Sequence, residues 1–292
     1  MYIFVGHQAD EHLALLQQLL DQQAFKRSAS MNKQTTERQH SLPVSSALEQ
    51  QLQDSKSNDV SSVIEIRPDT EREQRKGTPE VIFGETKEVA QIIEMARRLL
   101  ASSGRAIISR VHPEVVEALR EAFRECTLRI REAAHAVVIY RPGYERRQTG
   151  GHVGVISAGT SDIPVAEEAM LIAEEMGCRV TRIYDVGVAG LHRLVQPLRN
   201  LLSTDVDVII VAAGMDGALP SVVAGLVPVP VIGLPTSIGY GIGGKGVAAL
   251  LSMLQTCAPG LSVVNIDNGV GAGMTAGLIA NRVAQAREHQ SS

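Results

Sequence analysis

The sequence contains no tryptophan, and aromatic residues make up only 3% of its 292 residues. Its core must therefore be built from Val, Ile, Leu and Ala, a composition that is typical of parallel α/β proteins. A chain of this length can bury one large core or two smaller ones. The shortage of aromatics thus favours an α/β fold with a covered parallel sheet.

An excess of positive charge is also lacking, since 28 Lys and Arg face 32 Asp and Glu, a net charge of −4. This balance argues against nucleic-acid binding. The amino terminus has neither the basic region nor the apolar stretch of a signal peptide. The uncharged run over residues 217–244 contains prolines that would break a membrane-spanning helix. We therefore expect a cytoplasmic protein that binds neither nucleic acid nor a membrane.

Cysteine is scarce, with three residues at scattered positions, Cys126, Cys178 and Cys257. This spacing gives neither a disulfide framework nor a metal-binding Cys pair. A cysteine without such a context is more often a small buried hydrophobic residue. Only the family resemblance described below singles out Cys257, which follows a predicted helix.

The chain divides into three predicted parts. Residues 1–62 hold a strand (Ile3–Gly6), a helix (Asp10–Leu20) and a polar, disordered linker from Gln22 to Ser62. Residues 63–150 form a small α+β domain, and residues 151–292 form a larger α/β domain. The strands predicted for the small domain are Val63–Arg67, Ala106–Ser109 and Ala136–Tyr140, and its helices are Thr86–Leu100 and Pro113–Phe123.

Strands and helices alternate in the larger domain, which predicts a three-layer αβα domain with a parallel, flavodoxin-like sheet. Its predicted strands are His152–Ser157, Arg179–Tyr184, Val206–Ala212, Val229–Leu234 and Leu261–Ile266. Its predicted helices are Ile163–Met176, Leu191–Leu202, Leu219–Gly225, Gly246–Leu254 and Ala272–Glu288. Ligands of such sheets bind beyond the carboxyl ends of the strands, so we expect the site there.

The first strand of this domain is followed by small residues that open a helix, Ser157 to Asp162. Free backbone N–H groups at a helix N-terminus bind anions. We expect Ser157, Gly159, Thr160, Ser161 and Asp162 to contact phosphate or substrate. The alternative is that Ser161 or Asp162 only caps the helix.

Most of the 26 glycines lie between Gly150 and Gly277. Gly241–Gly246 matches the dinucleotide pattern GxGxxG by letters, but these glycines do not directly follow a strand. We interpret the segment as a flexible loop whose Lys245 closes over an anionic ligand.

Acidic and imidazole side chains follow two other strands. Asp185 and His192 share one strand-end loop and are candidates for proton transfer, although a histidine at a helix start is more often structural. Asp216 follows the most apolar strand and is a candidate for Mg²⁺, ribose or proton binding. Its alternative role is to form a turn.

The sequence contains six longer motifs: Asp-Val-Gly-Val-Ala-Gly-x-His (Asp185–His192), Gly-Met-Asp-Gly-Ala-Leu-Pro (Gly214–Pro220), Pro-Thr-Ser-x-Gly-Tyr-Gly (Pro235–Gly241), Cys-x-Pro-Gly (Cys257–Gly260), Asn-Ile-Asp-Asn-Gly (Asn265–Gly269) and Asp-x-x-Arg-x-x-Arg-x-Gly-x-Pro-Glu (Asp69–Glu80). Residues 152–277 resemble aminoimidazole ribonucleotide carboxylases and mutases. The six motifs give a closer resemblance, over residues 63–281, to the pyridinium-3,5-biscarboxylic acid mononucleotide synthases of nickel-pincer cofactor biosynthesis.

The resemblance implies an enzyme that carboxylates nicotinic acid adenine dinucleotide and hydrolyses its phosphoanhydride, releasing AMP. It implies that Cys257 adds to the pyridinium ring and that His192 or Asp185 removes a ring proton, with His192 favoured. It implies CO₂ or bicarbonate as co-substrate, Mg²⁺ on Asp216 or Asp185, and no organic cofactor. Further contacts to the substrate are expected from Gly214, Met215, Asp216, Gly217, Thr236, Ser237, Lys245, Asn265, Asp267, Asn268, Arg72 and Arg75.

The resemblance also implies a homo-oligomer, an octamer in this family, whose product passes to later enzymes of cofactor biosynthesis. Two other functions remain open at this point. One is an aminoimidazole ribonucleotide carboxylase or mutase, which needs no cysteine, and the other is a non-catalytic nucleotide-binding regulator. A dehydrogenase is a more distant alternative, because its glycine pattern lies too far from its strand.

Overall fold

The computed structural model describes residues 67–291 of the chain. The predicted strand Ile3–Gly6, the helix Asp10–Leu20, the linker from Gln22 to Ser62 and all of Val63–Arg67 except its last residue lie outside this part. We call residues 67–141 the first subdomain and residues 152–291 the second. The two belong to one compact unit, and the predicted domain limits remain predictions.

A four-stranded mixed sheet forms the first subdomain, with strand order β1-β2-β4-β3. Strand β1 runs parallel to β2, and the other pairs are antiparallel. The strands are β1 (Val81–Phe83), β2 (Arg105–Ser109), β3 (Thr127–Arg131) and β4 (Ala136–Tyr140), and the helices are α1 (Arg72–Lys76), α2 (Val89–Ser103) and α3 (Pro113–Ala122).

Two strands of this sheet were missing from the sequence prediction. Strand β1 has only three residues, which is too short to show a period. In β3 the charged side chains of Arg129 and Arg131 alternate with Leu128 and Ile130, which pack against the core of the first subdomain. This period of two is the pattern of a strand with different partners on its two faces.

Five parallel strands form the sheet of the second subdomain, in the order β6-β5-β7-β8-β9. This is the 2-1-3-4-5 order of flavodoxin-like sheets, and it confirms the predicted fold class. The strands are β5 (His152–Ser157), β6 (Arg179–Ile183), β7 (Val208–Ala213), β8 (Val231–Pro235) and β9 (Leu261–Val263), and the helices are α4 (Ile163–Glu175), α5 (His192–Leu202), α6 (Leu219–Ala224), α7 (Val247–Leu254) and α8 (Gly269–Ser291).

The last predicted strand was too long and the last predicted helix too short. Strand β9 ends at Val263, because the following residues turn, with a left-handed backbone at Asp267. Helix α8 starts at Gly269, where the Asn268 side chain accepts a hydrogen bond from the Gly271 N–H group at 2.8 Å. Because glycine has a low helix propensity, the sequence prediction started this helix three residues too late, at Ala272.

Helix α4 lies between the two sheets and is buried on all sides. Ala169 and Met170 pack against the second sheet, whereas Leu171, Ile172 and Met176 pack against β2 and β4 of the first. A helix whose every side is covered by other elements is expected in such an interior position. Helix α4 therefore carries the contact between the subdomains.

Three glutamates of α4, Glu167, Glu174 and Glu175, pair with arginines of the first sheet. Arg105 pairs with Glu175 at 3.2 Å and is itself 4% exposed. Glu174 accepts from Arg129 and Arg131 at 2.5 and 2.8 Å. Buried charges are tolerated when they are paired in this way, so the charged interface orients one sheet relative to the other.

Helices α4 and α8 approach each other closely at Gly273. A β-carbon at this position would overlap the backbone carbonyl oxygen of Ala169 and would lie 2.7 Å from the β-carbon of Ile172. Backbone atoms in two packed helices have no room to move apart. The glycine is therefore required by the helix spacing.

We predict that Gly273→Ala destabilises the protein by about 1–3 kcal/mol, because overpacking outweighs the gain in helix propensity. Urea unfolding of the two proteins measures this difference. The matched control is Gly225→Ala, whose β-carbon would meet neighbours at an ordinary 3.6 Å and whose effect should stay within about 0.5 kcal/mol. Equal stability of Gly273→Ala and wild type would contradict the close packing of α4 and α8.

Candidate active site at the carboxyl edge of the second sheet

The switch point of the second sheet lies between β5 and β7, where the chain turns to opposite sides of the sheet. Flavodoxin-like proteins bind ligands in the crevice at this point. The loops that border it here are Ser157–Asp162 and Ala213–Gly217, both of which contain predicted site residues.

Asp162 fixes the geometry of this crevice. Its Oδ1 atom accepts hydrogen bonds from the Gly214 N–H group at 3.0 Å and the Thr236 hydroxyl at 2.6 Å. Its Oδ2 atom accepts from the Gly159 N–H group at 2.8 Å. The buried carboxylate thus joins the loops that follow β5, β7 and β8. Its role in the chain is to hold these three loops in position.

Left-handed backbone conformations concentrate around this edge. Among the described residues, seven that are not glycine have a positive φ. Each such residue costs on the order of 1 kcal/mol, and such strain gathers at functional sites. Six of the seven lie in strand-end loops or in the cavity described below: Arg110, His135, Asp185, Met215, Lys245 and Asp267.

The loops after β7 and β8 are in direct contact. The Met215 N–H group donates to the Ile238 carbonyl oxygen at 2.7 Å. A β-carbon on Gly214 would overlap that carbonyl group, so only glycine fits there. Gly217 packs in the same way on Ala249 of α7.

The predicted proton-transfer residues lie on the loop after β6. The Asp185 N–H group donates to the Ser157 hydroxyl at 3.2 Å, and its carboxylate pairs with Arg193 at 2.8 Å. His192 is exposed and is the first residue of α5. The structure therefore places both residues at the carboxyl edge, with Asp185 already engaged by a cation.

The predicted Mg²⁺ ligands are not assembled into a metal site in the described chain. Asp216 is exposed, and one of its oxygens accepts from the Ala218 N–H group at 3.3 Å, as in a turn. No group of three or more His, Cys, Asp or Glu side chains suited to a metal occurs among the described residues. Mg²⁺ takes six ligands, often with substrate phosphates among them, so we assign no step to it.

The remaining predicted contacts on the second sheet lie in the loops after β8 and β9. The Ser237 N–H group donates to Asp267 at 2.8 Å, which joins these two loops. Thr236 is buried, and Asn268 caps α8. Asn265 is exposed, as is Lys245, which lies in the glycine-rich loop before α7.

A cavity of about 440 Å³ lies between these loops and the first subdomain. The loops after β8 and β9 and the start of α4 form one wall, and the end of β2, the start of α3 and the turn before β4 form the other. The residues that line it are Glu85, Arg110, Val111, His112, Pro113, Ala134, His135, Ser161, Pro164, Val165, Glu168, Ser237, Ile238 and Asp267.

Arg110 is the main cation of the cavity, and sequence analysis missed it. Its guanidinium group donates to the Asp267 carbonyl oxygen at 2.5 Å and lies 3.3 Å from Glu85 and 3.6 Å from Glu168. It also lies 4.9 Å from the centre of the Phe83 ring. Its position directly after the buried strand β2 was the signal that pointed to it.

Glu168 is a buried carboxyl group on the cavity wall. Burial raises the pKa of this carboxyl, against the opposing effects of the Ser109 hydroxyl, Arg110 and the backbone N–H groups of Val270 and Gly269. The Ser109 hydroxyl donates a hydrogen bond to Glu168. Glu168 thus ties α4 to the end of β2 and to the start of α8.

The two arginines predicted to reach the substrate do not line this cavity. Arg72 pairs with Glu80 at 2.6 Å, and Arg75 pairs with Asp69 at 2.6 Å. Both ion pairs join residues of the same motif, Asp69–Glu80. Their predicted role in substrate binding stays a prediction.

Cys257 is exposed, whereas Cys178 is buried and Cys126 is half-buried. Burial raises the pKa of the Cys178 thiol to about 11, which makes that thiol unreactive near neutral pH. Among the cysteines, only Cys257 therefore presents its thiol openly.

The position of Cys257 separates it from the carboxyl edge of its own chain. Helix α7 returns the chain to the amino edge, since Leu261 after it pairs with Val231, the first residue of β8. Cys257 lies between α7 and β9. A five-residue strand spans about 16 Å, so within one chain the thiol and the cavity lie at opposite edges of the sheet.

The fold and these loops define a flavodoxin-like α/β protein with a candidate ligand site at the carboxyl edge. The family model described as AIR carboxylase matches residues 152–292. A second model, described as LarB/PurE-like N-terminal domain, matches residues 61–141. Each model thus covers one subdomain.

Individual relatives agree with these models. The chain is 46% identical over 220 residues to an uncharacterized protein of Methanocaldococcus jannaschii, covering 74% of this chain and 84% of that protein. It is 35% identical over 125 residues to the N5-carboxyaminoimidazole ribonucleotide mutase of the same organism, covering 42% and 74%. The corresponding mutase of Thermotoga maritima is 32% identical over 134 residues, covering 44% and 73%.

The chain therefore belongs to the LarB/PurE-like superfamily of AIR carboxylases. Members of this superfamily are carboxylases and mutases, and the chain is an enzyme of that general kind. Within residues 67–291, no helix has the length and apolar character needed to cross a membrane.

We predict that Asp162→Asn destabilises the protein by about 1–3 kcal/mol, because an amide group has only one accepting oxygen for three donors and leaves a buried donor unpaired. Thermal and urea unfolding measure the loss. Asp216→Asn is the matched control for stability, since that carboxylate is exposed and should change stability by less than about 0.5 kcal/mol. A variant at Asp162 as stable as the control would show that the carboxylate does not hold the three loops.

Proposed function

We propose that the protein carboxylates the pyridinium ring of nicotinic acid adenine dinucleotide at carbon 5 and cleaves its phosphoanhydride. The products are pyridinium-3,5-biscarboxylic acid mononucleotide and AMP. The observation that carries this proposal is the exposed thiol of Cys257 in an AIR carboxylase domain that is preceded by a LarB/PurE-like domain. The mutases cover less than half of this chain.

The chemistry requires a nucleophile, because a pyridinium carbon cannot itself attack CO₂. The Cys257 thiolate adds to ring carbon 4, which gives a dihydropyridine with an enamine carbon at position 5. Carbon 5 attacks CO₂, and a C–C bond forms. A base then takes the proton from carbon 5, and the C–S electron pair returns to sulfur as the aromatic ring is restored.

Cleavage of the phosphoanhydride is a separate step. Water attacks one phosphorus atom, and the bridging P–O bond breaks. One phosphate group remains on AMP, and the other remains on the pyridinium mononucleotide. The family resemblance implies Mg²⁺, which the substrate phosphates and Asp216 or Asp185 would hold and which would stabilise the charge on the phosphates.

His192 is the better candidate for the base at carbon 5. Its side chain is exposed at the carboxyl edge, whereas Asp185 is held by Arg193. The loop Ser157–Asp162 and the Gly214–Gly217 turn would hold the ribose phosphate of the nicotinate half. Lys245 would close on that phosphate from the glycine-rich loop.

In the proposed mechanism, the thiol of one copy must serve the carboxyl edge of another, because Cys257 lies at the opposite edge of its own sheet. We therefore propose a homo-oligomer, and the resemblance suggests an octamer. The helix before Cys257 supports a contact between copies, since its exposed face carries Val247, Leu251 and Leu254. The product would pass to later enzymes of nickel-pincer cofactor biosynthesis.

A second candidate is the mutase or carboxylase reaction on an aminoimidazole ribonucleotide. It is favoured by the names of the relatives, which are 32–35% identical over 125–134 residues. That chemistry uses the carboxyl edge of the sheet but needs no thiol. Replacement of Cys257 therefore separates the two candidates.

We predict that Cys257→Ser abolishes carboxylation of nicotinic acid adenine dinucleotide, because a hydroxyl is a much weaker nucleophile and a poorer leaving group than a thiolate. Mass spectrometry after incubation with labelled bicarbonate detects the product. Dinucleotide binding should stay within about twofold of wild type, and Cys126→Ser serves as the control with retained activity. Carboxylation of the pyridinium substrate by Cys257→Ser would contradict the covalent role, and turnover of an aminoimidazole ribonucleotide by both proteins would favour the second candidate.

We also predict that two inactive variants complement each other. Mixed oligomers of Cys257→Ser and His192→Ala should regain part of the carboxylase activity, because some sites combine an intact thiol with an intact carboxyl edge. Native mass spectrometry verifies that subunits have exchanged, and oligomers of the double variant are the control. Mixed oligomers without activity would show that each chain supplies its own thiol.

A further inference from the structure

We propose that the cavity between the two subdomains binds the adenylate half of the dinucleotide, so that the first subdomain supplies the recognition of a second nucleotide. This inference deepens the proposed function and rests on it. In this inference, Arg110, His112 and His135 are among the residues that bind a nucleoside monophosphate.

The cavity and the switch-point crevice are neighbours. Ser161 lines the cavity and belongs to the loop that follows β5. Ile238 also lines the cavity, and its carbonyl oxygen holds Met215 on the other side of the crevice. The cavity and the crevice therefore share two loops, so an extended ligand bound in one would lie next to the other.

The chemistry of the cavity walls suits a phosphate and a nucleoside. Arg110, His112 and His135 supply donors from the first subdomain, and Ser161 and Ser237 add hydroxyl groups from the second. Val165 and Ile238 offer apolar surface for a base or a ribose. A volume of about 440 Å³ lies within the usual range of small-molecule sites.

The acidic groups of the cavity are already engaged by the protein. Asp267 accepts the Ser237 N–H group, and Glu168 accepts the Ser109 hydroxyl. Glu85 lies 3.3 Å from Arg110, but its side chain is 51% exposed. Such a surface ion pair contributes little, so a phosphate can replace Glu85 beside the guanidinium group.

Arg110 is held in place before any ligand arrives. Its left-handed backbone, its bond to the Asp267 carbonyl oxygen and its contact with the Phe83 ring fix the guanidinium group at the cavity. A side chain that is already ordered loses less entropy on binding. This is the arrangement expected of a phosphate-binding arginine.

The comparisons agree with an additional role for the first subdomain. The alignments to the two mutases span 125 and 134 residues of this chain, and these mutases are named for a single ribonucleotide. Nicotinic acid adenine dinucleotide contains a further nucleotide. The residues that the first subdomain adds to the carboxyl edge are therefore placed to receive this additional half.

Calorimetric titration of the full chain with AMP tests the inference. We expect AMP to bind wild type and to bind Arg110→Gln at least tenfold more weakly. His112→Ala should also weaken binding severalfold. His112 is the N-cap residue of α3, but its exposed side chain makes no capping hydrogen bond, so the fold should be unaffected. Arg124→Ala, which removes an exposed arginine of the same subdomain outside the cavity, is the matched control and should bind AMP like wild type.

Titration with nicotinic acid mononucleotide provides the second arm. Its affinity should be the same in wild type, Arg110→Gln and His112→Ala, because that half belongs in the crevice. Absence of AMP binding to wild type, or equal AMP affinity in all four proteins, would overturn the inference. A loss of mononucleotide affinity as large as that of AMP would overturn it as well.

The outcome is independent of the carboxylation assay. If AMP binding depends on Arg110 and His112 but no carboxylated pyridinium forms, the proposed function fails and the nucleotide site stands. If carboxylation proceeds equally well in wild type and both cavity variants at limiting dinucleotide, the site fails and the proposed function stands.

Discussion

The rest of the structure depends on the burial of helix α4 between two sheets. An apolar face alone would fix its depth but would leave it free to rotate or slide against the first sheet. The pairing of Glu174 and Glu175 with Arg105, Arg129 and Arg131 opposes such movement, because a rotation or shift of the helix would separate the paired charges. The cavity and the crevice both include the start of this helix, so the same pairing sets the geometry of the candidate site.

Much of the fold followed from the sequence. The alternation of apolar strands and helices after residue 151 predicted the parallel sheet and its carboxyl edge, because strands that are covered on both faces are continuously apolar. Strands β1 and β3 were missed for opposite reasons. The first is too short to show a period, and the polar face of the second meets the glutamates of α4, a contact that no local pattern reveals.

The site was predicted only in part. Glycines and small residues marked the strand-end loops, because backbone that approaches a ligand or another loop leaves no room for a side chain. The sequence did not reveal that Asp162 would be fully occupied by Gly159, Gly214 and Thr236. It also did not reveal Arg110, which is separated from the second sheet by more than forty residues of chain and meets it only through tertiary packing.

The contact of Glu168 with the start of α8 has a consequence for the whole helix pair. Glu168 lies on the cavity wall, and the backbone N–H groups of Gly269 and Val270 lie against it. Farther along, the same two helices touch at Gly273 and again where Gly277 meets Met176. A bulky residue in place of Gly277, two turns along α8, would push α8 away from α4 and move the N–H groups of Gly269 and Val270 away from Glu168. A substitution in the interior would then change the shape of the cavity and any affinity for a ligand there.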